Sequence, residues 1–146
     1  MTTDTLKIAN AQTADDIRRC YPVMSELRTH IATEEEFVER VQRQQTQGYL
    51  LAYLAAGEEV RAVAGYRYMD FLFHGYFMYV DDLVTRAADR STGYGGKLFD
   101  WLVQQARERD CTHLDLDSGV QRFDAHRFYL MKRMRIASHH FSLALK

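Results

Sequence analysis

The feature that most constrains this chain is a glycine-rich segment, Arg90-Ser91-Thr92-Gly93-Tyr94-Gly95-Gly96-Lys97-Leu98, which lies between a predicted strand and a predicted helix. Glycines at such a turn let backbone N–H groups approach an anion closely, and the N-terminus of the helix adds partial positive charge. Arg90 and Lys97 supply two further cationic groups. The segment therefore predicts a phosphate-binding loop, and a glycine-rich helix entry without a ligand is the alternative.

Two other phosphate-binding motifs do not match the segment. A P-loop requires glycine where Ser91 stands and a serine or threonine where Leu98 follows Lys97. A Rossmann fingerprint requires its third glycine at position 98, and it follows the first strand of a βαβ unit rather than a long antiparallel meander. Both motifs are therefore disfavoured.

Composition and charge narrow the class of protein. The chain has 146 residues, of which 47% are hydrophobic and 27% charged, so we expect one globular domain over residues 1–146. Its net charge of −1 gives no general attraction to nucleic acid or to an anionic membrane. Cys20 and Cys111 are far apart, and the N-terminus lacks a secretory signal. We therefore expect a reduced, cytoplasmic protein that binds neither nucleic acid nor membrane.

Hydrophobic periodicity predicts an α+β protein with helices, then a strand meander, then alternating strands and helices. Thr13 and Thr33 are predicted N-caps, and Pro22 predicts a helix restart. The predicted strands are Leu6–Ala9, Tyr49–Ala55, Val60–Met69, Tyr76–Thr85, His113–Asp117 and Ala137–Leu145, and the later helices are Gly93–Arg109 and Gln121–Arg133.

Asp81 and Asp82 interrupt an otherwise apolar strand. Alternation along a strand places adjacent side chains on opposite faces, so we expect at most one of the two to line a cleft directly. A carboxylate in a cleft can act as a general base when burial raises its pKa. The alternative is a structural ion pair with an arginine such as Arg67.

The segments together resemble the GNAT superfamily of acyl-CoA-dependent N-acetyltransferases. Arg90, Gly93 and Gly95 match the family's pyrophosphate loop. Tyr79–Thr85 is similar to its fourth strand, His113–Ser118 to its fifth, and the residues from Ala125 to Tyr129 to the Ala-x-x-Phe-Tyr of the following helix. The resemblance covers most of the chain.

The resemblance implies a mixed, largely antiparallel sheet flanked by helices, with a cleft for coenzyme A between splayed fourth and fifth strands. It implies that Asp81 is the general base, with Asp82 as the alternate, and that Tyr129 is the general acid. The implied acetyl-CoA contacts are Leu83, Val84, Thr85, Arg90, Ser91, Thr92, Gly93, Tyr94, Gly95, Gly96 and Lys97.

Three further features bear on the acceptor side or on metal binding. The family usually has a glycine shortly after Phe-Tyr, where this chain has Lys132-Arg133-Met134, so we expect a different backbone conformation in that turn. His139 and His140 do not form a metal-binding pattern, because neighbours on a strand face opposite ways. The aromatic residues between Phe71 and Tyr79 are interpreted as core, with an acceptor wall or a homodimer contact as alternatives.

The resemblance thus implies an N-acetyltransferase that moves an acetyl group from acetyl-CoA directly to a primary amine. The acceptor is the amine of a small molecule, a peptide or a protein, and no metal is expected. The alternative hypothesis is a module with the same fold that binds acyl-CoA or a protein partner without turnover.

Overall fold

A computed structural model describes residues 5–146. Its strands are β1 (Leu6–Asn10), β2 (Leu50–Ala56), β3 (Glu59–Phe71), β4 (Gly75–Thr85) and β5 (Leu114–Leu116). Its α-helices are α1 (Ala14–Leu27), α2 (Glu34–Gln45), α3 (Tyr94–Glu108) and α4 (Phe123–Met131), and Ala87–Asp89 forms one 3-10 turn. The residues cluster into two compact units, one ending at Asp115 and one over Leu116–Lys146. No helix in residues 5–146 has the length and apolar character needed to cross a membrane.

The sheet is mixed, and its strands lie in the order β1-β2-β3-β4-β5. The first four form an antiparallel meander. β5 joins the outer edge of β4 where Thr112 N donates to Tyr76 O (2.8 Å) and Met78 N donates to His113 O (3.0 Å). The α+β class and the mixed, largely antiparallel sheet predicted from sequence are confirmed.

Both faces of β2 are buried, because helices cover the sheet on both sides. Leu51, Tyr53 and Ala55 belong to the core cluster formed with α1 and α2, and alternation turns Ala52 and Leu54 to the opposite face. α3 packs against β2, β3 and β4, and its own buried leucines lie outside that cluster.

The helix starts follow the predicted caps. Thr13 Oγ1 accepts a hydrogen bond from Asp16 N, and Thr33 Oγ1 accepts one from Glu36 N (3.1 Å each). The predicted restart at Pro22 is wrong, because α1 runs through this exposed proline without a break. One proline removes one helical hydrogen bond, and the buried stripe on the other side of α1 holds the helix together.

Two predictions for the C-terminal unit are also wrong. Residues 137–145 form no strand, and Phe141, Leu143 and Leu145 are exposed, because alternation alone does not form a strand without a ladder partner. Arg133 adopts φ +68° after α4, so the left-handed turn that favours glycine is kept although arginine replaces it. Arg133 N donates to Leu130 O and Met134 N to Tyr129 O, and these two bonds close the helix.

Candidate active site

A β-bulge on β4 brings the two predicted carboxylates together. The β3–β4 register pairs Gly65 with Asp82 and then Tyr66 with Val80, so Asp81 is the extra residue. A bulge interrupts the alternation of side chains, and both Asp81 and Asp82 line the same cavity. The expectation that only one of them lines a cleft is therefore wrong.

Asp81 is held by the arginine that the sequence analysis named as its alternative partner. Arg67 Nη2 donates to Asp81 Oδ2 at 2.6 Å, and Arg67 Nε lies 3.1 and 3.2 Å from the two carboxylate oxygens. Burial raises the pKa of Asp81, and this effect outweighs the opposing influence of the Arg67 hydrogen bonds. Asp81 is thus both ion-paired and a stronger base than an ordinary aspartate.

Asp82 has two different partners. Arg28 Nε donates to its Oδ1 and the Tyr49 hydroxyl donates to its Oδ2, each at 2.7 Å. Arg28 also donates from Nη2 to the backbone carbonyl of Asp81 at 2.8 Å. Burial, and then the charge of Asp82, raise the pKa of the Tyr49 hydroxyl well above its usual value, so the hydroxyl keeps its proton. One guanidinium therefore fixes both residues of the bulge.

Gly65 permits this arrangement. A Cβ atom at position 65 would overlap the Tyr49 hydroxyl and the Asp82 carboxylate. A glycine inside a strand marks such a close approach. The hydrogen bond between Tyr49 and Asp82 therefore depends on the absence of a side chain at position 65.

A cavity of about 390 Å³ lies beside the bulge, between the two N-terminal helices and the sheet. Cationic, anionic, aromatic and aliphatic side chains all contribute to its wall. The lining residues are Met24, Arg28, His30, Ile31, Phe37, Arg40, Val41, Gln44, Tyr49, Tyr79, Asp81 and Asp82.

The end of β4 presents backbone groups at an open edge. Arg86 N donates to Arg61 O at 2.8 Å, so the antiparallel alternation turns the N–H and C=O groups of Thr85 and Leu83 away from β3. β5 has only three residues and meets β4 near Met78, so it cannot reach this far along β4. The Val84 side chain is buried in the core.

The connection from β4 to α3 is supported by a buried carboxylate. Asp89 accepts hydrogen bonds from Arg86 Nε (2.7 Å) and Arg61 Nη1 (3.1 Å). Burial tends to raise the pKa of Asp89, but these guanidinium bonds outweigh it and lower the pKa. Thr92 donates from both its hydroxyl and its amide to the carbonyl of Asp89. Asp89 thus fixes the loop through its carboxylate, which binds two arginines, and through its backbone carbonyl, which binds Thr92.

The loop enters α3 through two left-handed residues. Ser91 has φ +70°, and Gly93 has φ +90° and is the N-cap. No side chain caps this helix, so its first N–H groups, from Tyr94 to Gly96, lack a side-chain partner, while Lys97 N donates to Gly93 O at 3.0 Å. Gly95 lies so close to the Thr85 side chain that a Cβ there would collide with it. Arg90 and Lys97 are exposed and form no ion pair within residues 5–146.

Tyr129 lies in the C-terminal unit, on α4. Burial raises the pKa of its hydroxyl, and Arg122 acts in the opposite direction. Its ring makes an edge contact with Phe128, with centroids 5.6 Å apart. The hydroxyl is therefore protonated at neutral pH.

Sequence reasoning missed Arg28, Tyr49 and Asp89 as parts of these arrangements. Arg28 is 54 positions from Asp82, and no local pattern indicates such a contact. Gly65 offered the one readable signal, a glycine in the middle of an apolar strand. No group of three histidine, cysteine or acidic side chains within residues 5–146 is placed to hold a metal ion.

Comparison with known proteins identifies the family. Residues 11–133 match the model of the acetyltransferase (GNAT) family. The chain is 39% identical over 113 residues to the uncharacterized N-acetyltransferase YhdJ of Bacillus subtilis. The aligned segment covers 77% of this chain and 79% of YhdJ. A GNAT family acetyltransferase from Staphylococcus aureus superposes with a TM-score of 0.79 at 16% identity, covering 99% of this chain and all of the other. Glucosamine-6-phosphate N-acetyltransferase from Arabidopsis thaliana superposes with a TM-score of 0.77 at 20% identity, covering 98% and 100%. The chain therefore belongs to the GNAT family of acetyltransferases.

Proposed function

We propose that the protein is an acetyl-CoA-dependent N-acetyltransferase that moves the acetyl group directly to a primary amine. The observation that carries this proposal is the open backbone edge at Leu83 and Thr85, which lies directly before an uncapped helix N-terminus. The edge offers ladder bonds to an amide-bearing chain, and the helix start offers N–H groups to a diphosphate. Coenzyme A carries both features in one molecule.

In this proposal the loop binds the diphosphate of the donor. The N–H groups from Gly93 to Gly96 act as donors, and Arg90 and Lys97 supply charge from the exposed surface. The scaffold built on Asp89 holds the loop in place before the ligand arrives. Leu83 and Thr85 bond the pantetheine arm through their main chain.

The acceptor amine must lose a proton before it attacks the thioester. An amine with an ordinary pKa near 10.4 needs roughly 4.6 kcal/mol to become neutral at pH 7. Asp81 takes this proton, directly or through water, and Asp82 is the alternate base. The raised pKa of Asp81 supports this role, because it makes the carboxylate a better proton acceptor.

Tyr129 supplies a proton to the departing thiolate. An ordinary phenol is a weaker acid than a thiol by about 1.5 pKa units, so its hydroxyl acts through a hydrogen bond that strengthens as negative charge develops on sulfur. Burial raises the pKa of Tyr129 and makes complete proton transfer harder still, so the proposed role depends on this hydrogen bond rather than on the acidity of the phenol.

Thiol release from acetyl-CoA in the presence of a panel of primary amines tests the proposal. Tyr129→Phe is expected to lower kcat by about 10²-fold or more at nearly unchanged acetyl-CoA affinity, as for other general acids. Tyr68→Phe is the matched control, because burial also raises the pKa of Tyr68 but this residue lies outside the proposed site. A protein that binds acetyl-CoA but releases no thiol with any amine would be a binding module instead.

Arg90→Ala tests the donor site separately. Loss of one charged contact to the diphosphate is expected to weaken acetyl-CoA binding by about tenfold, measured by calorimetry. Arg43→Ala, on an exposed position of α2, should leave the affinity unchanged. Equal affinities for the native and Arg90 variants would contradict the loop assignment.

A further inference from the structure

The cavity beside the β4 bulge has balanced charges. Two guanidinium groups, Arg28 and Arg40, and two carboxylates, Asp81 and Asp82, contribute to its wall, which contains no lysine or glutamate. Asp82 is paired with Arg28, and Asp81 is paired with Arg67 from outside the cavity lining. A polyamine gains little here, because only one of its ammonium groups could lie at the two aspartates and a second would meet Arg28 or Arg40. A ligand with one positive and one negative group complements the carboxylates and guanidinium groups of the wall better.

The cations of this cavity retain hydrogen-bonding capacity for an anion. Arg28 uses Nε and Nη2 in its bonds to the bulge, and a guanidinium has further N–H groups on Nη1. Within residues 5–146, Arg40 pairs only with Glu36, four residues earlier, at 3.1 Å and on a partly exposed helix face. Such surface pairs are weak and exchange readily for a bidentate carboxylate.

Four apolar side chains also contribute to the wall, beside the polar groups of His30 and Gln44 and the rings of two tyrosines. Met24, Ile31, Phe37 and Val41 are all buried and all line the cavity. Its volume of about 390 Å³ lies near the lower end of the range for small-molecule sites. The cavity therefore suits a small, largely polar molecule with a limited apolar part, and it is too small for a folded acceptor beyond one inserted side chain.

We propose that the acceptor is a free amino acid with an apolar side chain, and this inference rests on the function proposed above. Its ammonium group lies toward Asp81 and Asp82, its carboxylate toward Arg40 and the Nη1 group of Arg28, and its side chain against the apolar wall. The amine nitrogen forms a bond to the acetyl carbon as the C–S bond breaks. The ammonium group gives one proton to the carboxylate base before the attack, and the nitrogen loses a second proton as the amide forms. One proton reaches sulfur and one passes to solvent, so the products are an N-acetylamino acid, coenzyme A and a released proton.

Three acceptors of nearly equal shape test this proposal: leucine, leucinamide and 3-methylbutylamine. The first has a carboxylate, the second replaces it with an amide as at a peptide N-terminus, and the third lacks both. Thiol release should give a kcat/KM for leucine at least tenfold above either of the others. A kcat/KM for leucinamide or 3-methylbutylamine equal to or above that for leucine would overturn the amino-acid assignment while leaving acetyl transfer intact.

Arg40→Gln should reduce the preference for leucine over 3-methylbutylamine by about tenfold or more. Arg43→Gln is the matched control on the same helix, since Arg43 does not line the cavity, and its preference should equal that of the native protein. Circular dichroism melting establishes that both variants fold. An unchanged preference in folded Arg40→Gln protein would contradict the proposed carboxylate site.

Calorimetry separates this proposal from the failure of acetyl transfer itself. Leucine titrated into the protein saturated with coenzyme A should bind at least tenfold more tightly than 3-methylbutylamine, even where no thiol is released. Absence of acetyl-CoA binding and of thiol release would refute the proposed function. Leucine binding no tighter than that of 3-methylbutylamine would refute the amino-acid proposal alone.

Discussion

The two polar regions of the N-terminal unit differ in how their groups are satisfied. At the β4 bulge, the carboxylates of Asp81 and Asp82 have arginine or tyrosine partners from the chain itself. At the start of α3, the helix has no side-chain cap, and Arg90 has no ion-pair partner within residues 5–146. Buried polar groups are normally paired inside a protein, so the bulge is set in advance while the loop still offers its donors to an anion.

The loop is nevertheless ordered, because its support is separate from its binding groups. Asp89 binds Arg61 and Arg86 beneath the loop, and Thr92 folds back on the Asp89 carbonyl. The groups that hold the backbone are therefore not the groups that would face a ligand. Such preorganisation lowers the cost of ordering on binding.

Substitution of Gly65 should cause the largest loss of stability, because it breaks the bulge directly. The new methyl group of Gly65→Ala would overlap the Tyr49 hydroxyl and the Asp82 carboxylate. Overpacking and the loss of a charged hydrogen bond together suggest a loss of about 2–4 kcal/mol in the free energy of unfolding, measured in urea. A loss below about 0.5 kcal/mol would mean that a methyl group at position 65 meets neither the Tyr49 hydroxyl nor the Asp82 carboxylate.

The double variant Tyr49→Phe/Gly65→Ala sharpens this test. Removing the hydroxyl relieves part of the overlap, so the double variant should lose less stability than the sum of the two single variants. A coupling of at least about 0.5 kcal/mol is expected for residues in contact. Simple additivity would show that Gly65 acts through backbone freedom rather than through space.

Substitution of Gly93 should have a smaller effect with a different cause. Nothing lies within 4 Å of a Cβ built at this position, but its φ of +90° disfavours any side chain. Gly93→Ala should therefore cost about 1 kcal/mol, and Gly93→Asn less, because asparagine tolerates left-handed conformations. A larger loss for Gly93→Ala than for Gly65→Ala would invert the comparison between loop and bulge.

Much of this fold was predictable because local signals and packing agree. The capping threonines, the continuous aliphatic and aromatic run of β2 and the apolar stripe of α3 each indicate the element that the structure contains. These features depend on residues close together in the chain.

The features that the sequence did not predict depend on distant partners or on tolerated strain. The bulge at Asp81 exists only in the pairing of β4 with β3, and neither strand alone encodes it. The alternation in residues 137–145 predicted a strand, but no ladder partner forms there. Arg133 keeps a left-handed turn at a cost of roughly 1–2 kcal/mol, which local preference would have excluded.

Asp81 at the bulge and Asp89 below the loop should give the free energy of unfolding pH dependences of opposite sign. Burial raises the pKa of Asp81 above 3.8 in spite of Arg67, so the native protein binds this proton more tightly than the unfolded chain. The contribution of Asp81 to stability therefore falls as the pH rises from 3.8 through its native pKa. Burial opposes the low pKa of Asp89, but Arg86 and Arg61 prevail, so its contribution is present above 3.8 and is lost as the pH falls through its native pKa.

Asp81→Asn and Asp89→Asn should therefore change the pH dependence of unfolding in opposite directions. Urea unfolding gives the free energy of unfolding of the native protein and of each variant from about pH 3 to 7, and the m-values should be equal. The variant's value is then subtracted from the native value at each pH. The difference for Asp81→Asn should decrease with rising pH above 3.8, and the difference for Asp89→Asn should increase with rising pH below 3.8. Slopes of the same sign would mean that Arg67 outweighs burial at Asp81. The bulge would then be as fully compensated as the support of the loop, and Asp81 would lose the basicity that its proposed role requires.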